Sequence, residues 1–155
     1  MPDDVSPDTG PKPAGRLDVA TLRTLAQRAV DHPLVDNWQF DPSSVSPRLL
    51  RLRLDPNAYP TTVLAARLDV RWFVTDDYSV HYVEARETAT DPYQCRWDRH
   101  PKTTAPRTHC HPPPDAGDAE ASSLDPHHLN VLFAVLDWVS DRVEALHDQS
   151  DPFDS

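Results

Sequence analysis

VLAARLDVRWFV (63–74), TDD (75–77) and YSVHYVE (78–84) decide the fold. Alternation puts Leu64, Ala66, Leu68, Val70, Trp72 and Val74 on one face of a first strand, and Tyr78, Val80 and Tyr82 on one face of a second. Directly opposed residues of an antiparallel pair point the same way, so the two apolar sets must meet. A three-residue loop at Thr75–Asp77 does this, with Trp72 opposite Val80, Val70 opposite Tyr82 and Arg71 opposite His81. A two-residue loop sets Trp72 against His81 and mixes the faces.

The flanks extend the pattern. Asp18 caps a helix whose apolar residues Val19, Leu22, Leu25, Ala26, Ala29 and Val30 recur near 3.6 spacing, with Pro33 ending it. Val35–Phe40 and Arg48–Leu54 read as extended, with a turn at Asp55-Pro56-Asn57. In Tyr93–Arg99, the residues Tyr93, Cys95 and Trp97 form one face and Gln94, Arg96 and Asp98 the other. Asp125-Pro126 starts a last helix striped by Leu129, Leu132, Phe133, Leu136, Val139, Val143 and Leu146. The expected fold is α+β, an antiparallel β-sheet meander with N- and C-terminal helices packed on one face. Its expected organisation is a Pro/Asp-rich disordered arm over 1–16, one domain over 17–147 containing a Pro/His-rich loop at 100–124, and an acidic tail over 148–155. Residues 1–15 and 149–155 carry no apolar stripe, so both are expected to be dispensable for stability.

Composition narrows the class. Of 155 residues, 21 are Asp, 4 Glu, 13 Arg and 2 Lys, for a net charge of −10. This resembles the acidic proteins of salt-loving, haloarchaeal cells, in which such surfaces keep protein in solution. No stretch reaches the ~18 apolar residues of a membrane span. Met1–Arg16 lacks the apolar core of a secretory signal. The two cysteines, Cys95 and Cys110, suit a reducing cytosol. These features give the expectation of a cytoplasmic protein without membrane contact; oligomeric state is not legible. Charge is uneven, at −3 over residues 1–44, +2 over 45–111 and −9 over 112–155. A basic island therefore lies between acidic flanks.

That island occupies the sheet's second face. Arg51, Arg53, Arg67, Asp69, Arg71, His81, Arg96 and Asp98 alternate onto it, and the following loop adds Arg99, His100, Arg107, His109 and His111. His109 and His111, two apart, aim to one side of an extended chain. Three chemistries fit. Arginines can grip phosphate bidentately while two histidines serve as base and acid on RNA, with no metal and no cofactor. A metal could use His100, His109, Cys110 and His111 with Cys95, although that spacing is not a standard zinc pattern. Arg–Asp ladders on a solvated face are the bland alternative. Trp38, Trp72, Trp97, Trp138 and Tyr82 read as core, Cys95 as a buried thiol, and His127 and His128 as surface residues.

YSVHYV (78–83), CRWDRHP (95–101) and THCHP (108–112) together resemble the TumE-like small proteins of prokaryotic toxin–antitoxin modules. The resemblance implies an antitoxin partner and a functional set of Arg96, Asp98, His100, His109 and His111. Combined with the residue pattern, it gives catalytic candidates His81, Asp98, His100, His109 and His111 and phosphate-binding candidates Arg71, Arg96 and Arg99. Two functions stand open at this stage. One is a toxin-like protein that binds RNA and, in its enzymatic version, is a metal-independent ribonuclease. The other is a non-catalytic module whose Arg-rich face engages an acidic partner or nucleic acid. Either one requires Arg71, His81 and Arg96 on one sheet face, within about 10 Å of each other given strands ~4.8 Å apart.

Overall fold

A computed structural model describes residues 15–99, 108–121 and 127–150. The arm over 1–14, His100 and Arg107, the Asp125-Pro126 helix start and residues 151–155 lie outside the described residues. Helix α1 (Val19–Ala29) is followed by strands β1 (Val35–Asp41), β2 (Leu49–Leu54), β3 (Val63–Trp72), β4 (Tyr78–Arg86), β5 (Tyr93–Arg99), β6 (Thr108–His111) and β7 (Glu120–Ala121), then helix α2 (His128–Ser150). All seven strands form one antiparallel sheet in sequence order. The fold is the expected α+β meander, with its two helices contributing to a single apolar core.

Local chemistry explains the elements. Asp18 caps α1 by accepting from the Thr21 amide at 3.0 Å and the Thr21 hydroxyl at 2.8 Å. Leu22, Leu25, Ala26 and Ala29 form its buried stripe. They meet Leu50, Leu52, Leu68, Val70, Trp72, Val80 and Tyr82 of the sheet. Each fully buried Leu of this set is worth about 1.5–3 kcal/mol. Trp138 of α2 sits edge-on to Tyr82 and Trp97 at 5.0 and 5.3 Å. The stripe of α2 holds at Leu132, Leu136, Val139, Val143 and Leu146, with Val131 and Val135 buried in addition and Phe133 exposed. The helix also continues through Asp148 to Ser150. His128 is not a plain surface residue. Its ring lies 6.0 Å from that of Trp72, and burial followed by the neighbouring His127 lowers its pKa.

The β3–β4 hairpin keeps the expected faces but not the expected register. Trp72 pairs with Tyr78 and Val70 with Val80, so Asp69, not Arg71, lies opposite His81. The connection is the five residues Phe73–Asp77. Asp76 takes a positive φ of 66°, and its carboxylate accepts from the Trp72 indole at 3.1 Å. The Trp72 and Tyr78 rings stack at 4.6 Å, which stabilises this wider loop. Phe73 and Val74 leave β3 to bond the N-terminal segment: Leu17 bridges Phe73, and the Val74 amide donates to the Arg16 carbonyl at 2.9 Å. Val74 is accordingly exposed. Leu64 is exposed too, because the register shifts between Val63 and Ala65 and buries Val63 instead.

The largest correction lies in the 100–124 segment, which contains β6 and β7 where a loop was expected. His109 and His111 are therefore strand residues. After β6 the chain turns back, and its Pro114 carbonyl and Ala116 amide bond the backbone of Gln94 at 2.8 and 3.0 Å.

Candidate functional site

Strand pairing arranges the polar face as a grid. One row across the sheet runs Arg51, Asp69, His81, Arg96, His111. The next runs Arg71, Ser79, Asp98, His109. Arg53 pairs with Arg67 on the other side of the first row. Arg71, His81 and Arg96 thus share a face: His81 and Arg96 are direct neighbours, and Arg71 is offset by one row.

Carboxylates hold part of this face. Asp69 accepts from Arg51 Nε at 2.8 Å and from Arg67 Nε at 3.1 Å. Burial works to raise its pKa, and those two guanidinium bonds outweigh it, leaving the group below the usual carboxylate range. Arg53 and Arg71 have no carboxylate partner among the described residues. Arg51, Arg53, Arg67, Arg71 and Arg96 therefore outnumber Asp69, Asp98 and the 3.8 Å contact of Asp41 with Arg51. A local excess of positive charge survives in a chain of net −10.

The grid ends in a buried cluster. Asp98 is 2% exposed and His109 fully buried. Oδ2 of Asp98 lies 3.6 Å from Nε2 of His109, 3.2 Å from Nε2 of His111 and 2.8 Å from Nε of Arg96. The two imidazole centroids are 5.2 Å apart. His111 Nδ1 sits 2.7 Å from the Gly117 carbonyl. A carbonyl only accepts, so this nitrogen carries the proton. Both histidines turn Nε2 toward one carboxylate oxygen and not outward. Among the described residues, the titratable imidazole left on the open face is His81. Its Nε2 is 2.8 Å from Gln94 Oε1, and burial, chiefly, holds its pKa below the ordinary value.

Other sequence candidates separate from this group. Arg99 alternates onto the face of Cys95 and Trp97 and binds the β3–β4 loop, at 2.7 Å from the Asp76 carbonyl and 3.5 Å from the Asp77 carboxylate. It does not join Arg71 and Arg96. Cys95 and Cys110 lie on the core side, opposite the histidines, and are free thiols. The ligand set that combined them with His109 and His111 is therefore broken. Sequence reasoning placed Gln94 on the polar face with Arg96 but gave it no role, and it missed the Gly117 carbonyl. It also read Thr108–His111 as loop, although its alternation of His outward with Cys inward is a strand signal.

The model of a known family, Toxin TumE, matches residues 24–143. The match takes in α1 from Thr24, every strand and α2 as far as Val143. No curated protein and no solved structure matches the chain. None of the described helices is long and apolar enough to cross a membrane.

Proposed function

Since the chain belongs to the TumE toxin family, and so is the toxin component of a toxin–antitoxin module with a cognate antitoxin as partner, we propose that its target is RNA, held on the arginine grid of the sheet. The observation that carries this reading is the cation excess on one face of an otherwise acidic chain. Arg53 and Arg71 are the cations left to grip phosphate, since Arg51 and Arg67 already serve Asp69. Guanidinium forks suit phosphate geometry. His81, kept neutral near pH 7 by burial, is the base on the open face. A metal-free relay through His109 and His111 is disfavoured, because His109 is sealed from solvent and both rings face Asp98. Cytoplasmic action follows from an RNA target.

Induced expression is expected to arrest growth, and purified protein to bind single-stranded RNA. Arg53→Ala and Arg71→Ala should each weaken RNA binding roughly tenfold, the loss of one charge-assisted contact of about 1.4 kcal/mol. Neither change should alter the thermal midpoint. Unchanged RNA binding together with loss of antitoxin binding would replace this reading with a non-catalytic module gripping an acidic protein.

A further inference from the structure

We propose that Asp98, His109 and His111 form a binding site for one divalent transition-metal ion of the zinc class. The inference concerns these three side chains and does not rest on RNA being the target.

The backbone brings the donors together. Asp98 on β5 is the direct partner of His109 on β6, and His111 follows two residues later on the same face. One donor atom from each lies within 4.8 Å of the other two. Zn–N and Zn–O bonds of roughly 2.0–2.1 Å set the edge of a coordination tetrahedron at about 3.3–3.4 Å. The two Oδ2–Nε2 separations, 3.6 and 3.2 Å, bracket that length. Two of the three donor–donor edges thus match ligands of a common centre, and the third, between the imidazole nitrogens, is no longer than 4.8 Å.

The proton inventory points the same way. His111 Nδ1 donates to the Gly117 carbonyl, so in the neutral ring Nε2 presents a lone pair. That lone pair lies 3.2 Å from a carboxylate oxygen, yet the two are not aligned as a hydrogen bond. Two acceptors at this distance repel unless a proton or a metal cation sits near both. His109 Nε2 faces the same oxygen, and one proton cannot bridge three atoms, whereas a metal ion can. Independently, the second oxygen of the buried Asp98 carboxylate accepts no hydrogen bond among the described residues, which is costly unless something else completes it.

The surroundings fit ligation. A ligating histidine ordinarily donates its other ring N–H to a carbonyl or carboxylate, as His111 does to Gly117. Arg96 orients the Asp98 carboxylate at 2.8 Å. Two imidazoles and one carboxylate suit zinc, iron, cobalt or manganese and suit magnesium or calcium poorly. Three protein ligands leave a coordination position for water or a phosphate oxygen. His111, with 12% of its side chain exposed, is the most open of the three.

The test uses the tag-free full chain, stripped with chelator and titrated with Zn²⁺ by calorimetry and with Co²⁺ by visible absorption. One equivalent per chain is expected to bind with Kd below about 1 μM, and Co²⁺ should give d–d bands with nitrogen and oxygen ligation and no thiolate charge transfer. Asp98→Asn and His111→Ala should each weaken binding at least a hundredfold, while His32→Ala should leave it unchanged. Far-UV circular dichroism establishes which variants fold, and His111→Ala, at the more exposed position, decides the matter if Asp98→Asn does not. Absence of saturable binding by the native chain overturns the proposal, as does equal affinity in the folded variants. Neither result touches the RNA reading, which growth arrest and RNA binding test separately.

Discussion

Glu84 lies on the core face and is fully buried, and two hydrogen-bonding neighbours make that tolerable. Arg142 of α2 donates to both its oxygens at 3.0 and 2.9 Å, and the Tyr82 hydroxyl donates at 2.6 Å. Tyr59 in turn donates to Tyr82 at 2.9 Å, and the Arg142 guanidinium lies 3.5 Å from the Tyr93 ring centroid. Removing one member leaves a buried charge without its partner, at a cost of about 3–5 kcal/mol. Arg142→Ala should show that loss in urea unfolding, and Glu84→Leu/Arg142→Leu should lose less than the single change. A loss under about 1 kcal/mol in Arg142→Ala would show that water reaches Glu84. The thiols permit a second check. Burial pushes Cys95 up to about 12 and also raises Cys110, so a thiol reagent at pH 8 should label neither quickly in the native protein and both on unfolding. His81 permits a third. Its folded pKa is below the unfolded value near 6.5, so the unfolded chain binds more protons on acidification. The neutral ring's contribution is present above pH 6.5 and is lost as pH falls through the folded pKa. The fall in thermal midpoint from pH 7.5 to 5.5 should be smaller in His81→Gln than in the native chain.

At the scale of elements, what was legible in the sequence divides along a physical line. Alternation in β3, β4 and β5 specifies which face each residue takes, because a one-residue slip would move Trp72, Val80 and Tyr82 into solvent. A two-residue slip preserves every face, so the pattern could not choose between Trp72 opposite Val80 and Trp72 opposite Tyr78. Ring stacking and the Asp76 cap made that choice, and neither has a periodicity. The candidate site was legible as residue types, Arg96, Asp98, His109 and His111, but not as geometry. Thr108–His111 is only four residues long, and it pairs with a strand whose end was already assigned. Its placement inside the sheet changes what a substitution should do. A loop histidine could be removed without effect on folding. His109, fully buried, should cost about 2 kcal/mol on change to Ala, measured by urea unfolding, within the range for buried substitutions. A cost near zero would return β6 to the loop that the sequence suggested.

For the whole molecule, two electrostatic effects of opposite sign should separate with salt. The chain carries −10, and residues 112–155 alone carry −9, so screening of self-repulsion should stabilise the fold as salt rises. The excess of Asp over Glu and of Arg over Lys leads to the same proposal: the thermal midpoint should climb between about 0.1 and 2 M KCl. The arginine grid behaves in reverse. Each phosphate it neutralises on single-stranded RNA releases a counterion, with a slope of about −0.7 in log K against log salt. Contacts from Arg53 and Arg71 alone predict a slope of roughly −1.4, and one more from Arg96 would bring it to roughly −2.1. Arg53→Ala should flatten the slope by about 0.7 without changing the salt dependence of the thermal midpoint, since the two effects reside on different surfaces. If midpoint and affinity instead rose together with salt, burial of apolar surface and not phosphate contact would be driving the association, and the grid would lose its role as the RNA-binding face.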